Sequence, residues 1–219
     1  MLNTQPVSGI LEYLLQTHNP RAIIITGSYA DGTYNEASDF DCWLIGRDES
    51  RAYHDTSIVN GIQLHAEIYP LSHLMHLPMR MIEFFIDVII AHDPDGAAAE
   101  FMNHVQKELA CDPCMRPEKK AQTMAYLEKM LRRASRQDFN GDLRGHLMLF
   151  QSVEYWCDFS DRIYQGSKKT LRMMEKTDPK SAAILRRAMR SFDPADMQAW
   201  IDRLRTVYGQ NSGRKYRIL

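Results

Sequence analysis

Ala22-Ile23-Ile24-Ile25-Thr26 is a continuous β-branched run that stops at Gly27. A strand with one face in water alternates apolar and polar residues; this run does not alternate, so both of its faces must be covered. It therefore belongs inside a sheet with helices packed on it. Ile10, Leu11, Leu14 and Leu15 recur at helical spacing and predict an amphipathic helix ending near Asn19-Pro20. Phe40 to Ile45 reads as a second strand. Residues 52–59 and 62–69 flank Asn60-Gly61, the preferred dipeptide of a two-residue hairpin turn, which makes that pair antiparallel and the sheet mixed. A helix over Leu71 to Met81 and a strand over Phe84 to Ala91 lead to the turn sequence Asp93-Pro94-Asp95-Gly96.

After residue 97 the periodicity is helical throughout. Ala121, Met124, Leu127, Leu131 and Ala134 mark one helix face, and Leu143, Leu147, Phe150, Val153, Trp156 and Ser160 mark another, the two expected to pack together. Asp193-Pro194 opens a last helix expected to run to about Tyr208, with Gly209 just past its end. Charge divides at the same place. Residues 1–110 hold 5 Lys and Arg against 15 Asp and Glu, a net of −10, whereas residues 111–219 hold 22 against 13, a net of +9. Two prolines near residues 111–117 mark the boundary. The expected class is α+β: a mixed-sheet domain over residues 1–112, then an all-helical domain over 113–219.

The overall charge of −1 argues against a simple polyanion-coating or membrane-surface protein. The acidic half suits a domain that gathers divalent cations, and the basic half suits a wall facing phosphates. The longest apolar run, Phe84 to Ala91, is interrupted by Asp87 and is far too short to span a bilayer. No secretory signal is expected, and four cysteines in 219 residues make no disulfide framework, so a reducing cytoplasm is the expected compartment. Cys111 and Cys114 form a CxxC without further zinc ligands at suitable spacing and are read as incidental.

The chemistry lies between the first two strands. Gly27-Ser28 ends the buried run, and Ser38-Asp39-Phe40-Asp41 opens the next strand. Side chains alternate along a strand, so Asp39 and Asp41 point to one face. Adjacent carboxylates repel unless a cation neutralises them, and hard oxygen donors favour Mg²⁺ or Mn²⁺ over zinc. The hairpin strand presents Gln63, His65, Glu67 and Tyr69 on one face; Glu67 is the natural third carboxylate, and His65 reads as its neighbour or a substrate contact. Gly27 allows close backbone approach to a phosphate, and the Ser28 hydroxyl can donate to its oxygens. No Gly-Lys-Ser/Thr is present, so this is not a Walker loop. Farther on, Glu154 sits at the edge of an apolar helix face, where partial burial would raise its pKa and suit it as a general base, the alternative being a salt bridge to an arginine.

Gly27-Ser28, Ser38-Asp39-x-Asp41 and Glu67 resemble the signature of the DNA polymerase beta-like nucleotidyltransferase superfamily. The resemblance covers residues 20–96 and points to the small-molecule branch, which includes the kanamycin and lincosamide nucleotidyltransferases. It implies an enzyme that moves a nucleoside monophosphate from an NTP, ATP first among them, to an acceptor hydroxyl. It implies that Asp39, Asp41 and Glu67 bind Mg²⁺ or Mn²⁺ and that Gly27 and Ser28 hold the triphosphate. Tyr164-Gln165-Gly166-Ser167-Lys168 resembles a segment that brings a lysine to the triphosphate in such enzymes, with Lys169 an adjacent alternative to Lys168. The acceptor expected is a hydroxylated small molecule such as an aminoglycoside or lincosamide, with antibiotic resistance as the setting. A protein or tRNA acceptor of the toxin–antitoxin kind and a non-catalytic nucleotide-binding module are the alternatives. Some relatives build the site across a homodimer.

Overall fold

The computed structural model describes residues 5–47, 51–110, 115, 117–136 and 138–211. Two compact units divide the chain, Met1–Cys111 and Asp112–Leu219. The first is a mixed α/β sheet unit and the second is all helical among its described residues.

In the first unit the strands are β1 (Ala22–Ile25), β2 (Phe40–Gly46), β3 (Tyr53–Asp55), β4 (Ile58–Val59), β5 (Ile62–Pro70) and β6 (Ile89–His92). The helices are α1 (Gln5–His18), α2 (Gly27–Asp31), α3 (Leu71–Leu74), α4 (Met79–Ile82) and α5 (Ala97–Ala110). Strand order is β3-β5-β2-β1-β6, with β4 also paired to β5. The β2–β5 pair is parallel and the other pairs are antiparallel. All four residues of β1 are buried, and alternate ones enter two different cores. Ile23 and Ile25 pack with Ile10 and Leu14 of α1, whereas Ala22 and Ile24 pack with Phe101 and Val105 of α5. That double covering is why the run does not alternate, and each large aliphatic side chain so buried contributes about 1.5–3 kcal/mol.

The Asn60-Gly61 hairpin forms as expected, with φ of 53° and 80° at its two turn residues, the conformation that selects this dipeptide. Other boundaries differ for local reasons. The strand expected over 52–59 is split into β3 and β4, because the Asp55 carboxylate turns back to accept the Ser57 N–H at 2.8 Å. The helix expected over Leu71 to Met81 is broken into α3 and α4 by Pro78, whose carbonyl starts the second piece by accepting the N–H of Met81. The strand expected over Phe84 to Ala91 is shorter and later: Glu83–Phe85 is a 3₁₀ turn, and β6 pairs with β1 only at Ile23, Ile24 and Ile25. Asp93 in the following turn accepts the N–H groups of Ala98 and Ala99 and so caps α5.

The second unit comprises α6 (Pro117–Ala134), α7 (Phe139–Phe159), α8 (Ser167–Thr177), α9 (Pro179–Ser191) and α10 (Pro194–Asn211). Met124, Leu127 and Leu131 pack with Met148, Val153, Trp156, Trp200 and Leu204 in one core. The face of α7 is the one expected only at its C-terminal end, where Val153 and Trp156 are buried. Leu143, Leu147 and Phe150 are 53%, 43% and 63% exposed, and the buried row includes Gly141, Gly145, Met148, Leu149 and Ser152. Close approach decides the face: a Cβ at Gly141 would lie 2.9 Å from the Arg133 carbonyl oxygen, and one at Gly145 would lie 2.7 Å from the Phe192 ring. Small residues therefore face the bundle there, and Leu143 and Leu147 are turned outward. Asp193 caps α10 as expected, accepting the Ala195 N–H at 2.8 Å. The helix continues to Asn211, so Gly209 lies inside it rather than beyond it. Cys42 and Cys157 are buried thiols; Cys111 and Cys114 lie outside the described residues. Among the described residues no helix is long and apolar enough to cross a membrane.

Asp178 ties three helices of this unit together. It caps α9 through the Ser181 N–H at 3.2 Å, takes two bonds from Arg203 of α10 at 2.8 and 2.9 Å, and accepts the Trp156 indole N–H at 3.4 Å. Burial pushes its carboxyl up, but the Ser181 and Arg203 bonds outweigh that and hold it below the usual carboxylate range. Asp178→Ala is expected to lower unfolding stability by about 2 kcal/mol or more, the sum of a lost cap and a guanidinium left half-buried without its partner. A urea titration of the purified variant measures this.

Candidate active site

The turn after β1 is built around one close contact. Pairing of β1 with β2 ends at Ile25 opposite Cys42, and the Thr26 N–H donates to the Asp41 carbonyl at 3.0 Å. The chain then turns at Gly27, with φ of 63°. A Cβ on Gly27 would collide with Asp41 Oδ2 and lie 3.1 Å from its Cγ. Glycine is required there twice over, by the left-handed backbone and by the carboxylate packed against it. Ser28 follows, half-buried in the first turn of α2, its carbonyl accepting the Thr33 N–H at 3.0 Å.

The loop from α2 to β2 is held by its own bonds. Tyr29 is buried, stacked on Tyr34 with centroids 4.5 Å apart, and Gly32 closes α2 in the left-handed conformation. Asn35 Oδ1 accepts the Ala37 N–H at 2.9 Å, and Ser38 Oγ accepts the Asn35 N–H at 2.9 Å. Ser38 is thereby a loop brace, and it delivers Asp39 to the edge of the sheet with its side chain exposed. Asp39 and Asp41 share the sheet face that continues through Trp43 toward α5.

The parallel register of β2 and β5 sets what stands beside them. Asp41 is in register with His65, and Glu67 is in register with Trp43 on one side and with His54 of β3 on the other. His65 Nδ1 lies 3.5 Å from Asp41 Oδ1, the two side chains being 53% and 41% exposed. Glu67, half-buried, sits two residues farther along the strand, about 7 Å at 3.3 Å per residue. Among the described residues, no three His, Cys, Asp or Glu side chains gather tightly enough to hold a metal ion unaided. The exposed oxygens of Asp39 and Asp41 fit a different arrangement, in which one or two carboxylates hold a cation that keeps waters and substrate phosphates as its other ligands.

Two expected residues lie in the helical unit. Lys168 is exposed in the first turn of α8, after Gly166 with φ of 79°, and Lys169 beside it is half-buried. Glu154 is exposed rather than at a buried edge, because the whole row of Leu143, Leu147 and Phe150 faces outward. One turn on, Asp158 occupies the position expected of Glu154. Burial, reinforced by the Glu154 charge and opposed by Lys119 and Lys120, pushes the Asp158 carboxyl up to about 7. Sequence reasoning missed Asp158 because the leucine pattern pointed to the wrong face.

Gly27→Ala is expected to cost about 1–2 kcal/mol from the left-handed backbone alone, and more once the Asp41 carboxylate is displaced. Chemical denaturation measures the loss, and a variant as stable as the native chain would contradict the contact. Asp158 makes stability pH-dependent. The unfolded chain releases this proton near the ordinary 3.8 and the folded one near 7, so stability falls as pH rises between those values and then levels off. Asp158→Asn is expected to raise the melting temperature relative to the native chain by more at pH 8 than at pH 5.

A family model described as a nucleotidyltransferase domain matches residues 7–129. A search of curated proteins finds no match. Among solved structures, a nucleotidyltransferase-like protein from Exiguobacterium sibiricum 255-15 is similar at 11% identity and a TM-score of 0.43, covering 94% of this chain and 74% of that one. With more than half of its length matched by the family model, the chain belongs to the nucleotidyltransferase domain family.

Proposed function

We propose that the protein transfers a nucleoside monophosphate from a nucleoside triphosphate, with ATP as the first choice, to an acceptor hydroxyl. The observation that carries this reading is the contact between Gly27 and Asp41. It puts a turn that a phosphate can approach and a carboxylate that a cation can neutralise at one end of one strand pair. Asp39 and Asp41 would hold Mg²⁺ or Mn²⁺, which when bound withdraws charge from the phosphate oxygens and acidifies the attacking hydroxyl. Gly27 keeps side-chain bulk away from the triphosphate, and the Ser28 hydroxyl donates to its oxygens. The acceptor oxygen forms its bond to the α-phosphorus as the bond to pyrophosphate breaks. Lys168 is assigned the charge of the leaving pyrophosphate. The hydroxyl proton passes to a carboxylate, the role proposed for Glu154.

A hydroxylated small molecule of the aminoglycoside or lincosamide kind is the acceptor we favour, from the resemblance to that branch. The net charge of +9 over residues 111–219 supports tRNA as a second reading. Incubation with ATP labelled at the α-phosphate, Mg²⁺ and a panel of small hydroxylated acceptors, total tRNA or protein separates them by where the label appears. Asp41→Asn is expected to reduce transfer by about 100-fold or more, since a neutral amide no longer offsets the cation. Undiminished transfer by that variant would sink the assignment.

A further inference from the structure

We propose, resting on the cation-binding reading of Asp39 and Asp41, that His65 is the protein ligand that joins Asp41 on the cation, in the place expected of Glu67. Residues in register on parallel neighbouring strands project to the same face, and the residue in register with Asp41 is His65. Its Nδ1 stands 3.5 Å from Asp41 Oδ1. That separation is long for a strong hydrogen bond. It is close to the roughly 3 Å that separates two neighbouring donors on one ion when each bond is about 2.1 Å, so a few tenths of an ångström of side-chain rotation seats a cation between them. Both groups are about half exposed, and a cation placed there displaces water without stranding a buried charge. Glu67 lacks this opportunity: its register partner on β2 is Trp43, whose side chain is buried among Ile45, Phe85 and Phe101.

Replacing a carboxylate by an imidazole at this position changes what the site selects. A neutral nitrogen is a softer donor than a carboxylate oxygen and contributes no charge, so affinity moves from Mg²⁺ toward Mn²⁺ and Co²⁺. His65 is thus a determinant of cation choice, and Glu67 is a half-buried residue of the same strand that stands beside Trp43.

Mn²⁺ is the probe. The full chain is titrated with Mn²⁺ and free ion is followed by electron paramagnetic resonance, with electron spin-echo modulation recorded on the bound ion, for the native protein and for Asp41→Asn, His65→Gln and Glu67→Gln. The native protein is expected to show ¹⁴N modulation from a bound imidazole. His65→Gln is expected to lose that modulation and bind Mn²⁺ about tenfold more weakly, a typical effect of disturbing a metal site's ligand sphere, while Glu67→Gln binds as the native chain does. Both side chains are at least partly exposed, so a thermal melt suffices to verify that the variants remain folded. Bound Mn²⁺ without nitrogen modulation, or a His65→Gln variant that binds as tightly as the native chain, overturns the assignment of His65 and leaves the carboxylate reading in place. Native affinity in Asp41→Asn, or no binding by the native protein, overturns the carboxylate reading itself.

Discussion

Everything in the first unit depends on the fixed register of β1 against β2. Because β1 is covered on both faces, a slip of one residue would exchange Ile23 and Ile25 with Ala22 and Ile24 and mismatch two cores at once. The register therefore cannot drift, and its last rung, the Thr26 N–H on the Asp41 carbonyl, always brings Gly27 to the same carboxylate. Position in the site is inherited from hydrophobic packing several residues away. The side chains at the site are themselves exposed or half-exposed and could not hold such precision by their own contacts.

The parts of this arrangement legible in the sequence are those with a local cause. Ala22 to Thr26, Asn60-Gly61, the turn from Asp93 to Gly96 and the Gly27 turn each announce themselves through backbone preference or uninterrupted burial. What escaped is relational. Nothing in residues 62–70 says whether His65 or Glu67 will stand beside Asp41, because that is decided by the offset between two strands separated by a hairpin. The buried face of α7 escaped for a different reason: leucines outnumber glycines in the pattern, yet the tight approach at Gly141 and Gly145 outweighs the transfer free energy of Leu143 and Leu147. Glu154 was misplaced by that same error.

The opposite charges of the two halves also have a more structural meaning than their sum suggested. Several acids of the first unit are spent on geometry: Asp31 on Thr33, Asp55 on Ser57, His18 and Tyr13, Asp93 on the start of α5, and Asp95 on Arg21. In the second unit Arg186, Arg187, Arg203 and Arg205 meet Glu175, Asp196, Asp178 and Glu128. Pairs at the surface add little to stability, so the arginine of most consequence is Arg203, whose side chain is only 13% exposed.

The parallel pairing of β2 with β5 carries a consequence for the order in which the chain acquires its structure. The β4–β5 hairpin closes over two residues and belongs to the microsecond class of events, whereas β2 and β5 can meet only after the intervening chain has folded back, at the cost of a larger loop-closure entropy. Asp41 and His65 belong to opposite partners of that slower pairing. A nascent or partly opened chain can thus own a finished hairpin and a finished first helix while Asp41 and His65 are still apart, and the two side chains meet only with the last rungs of the sheet.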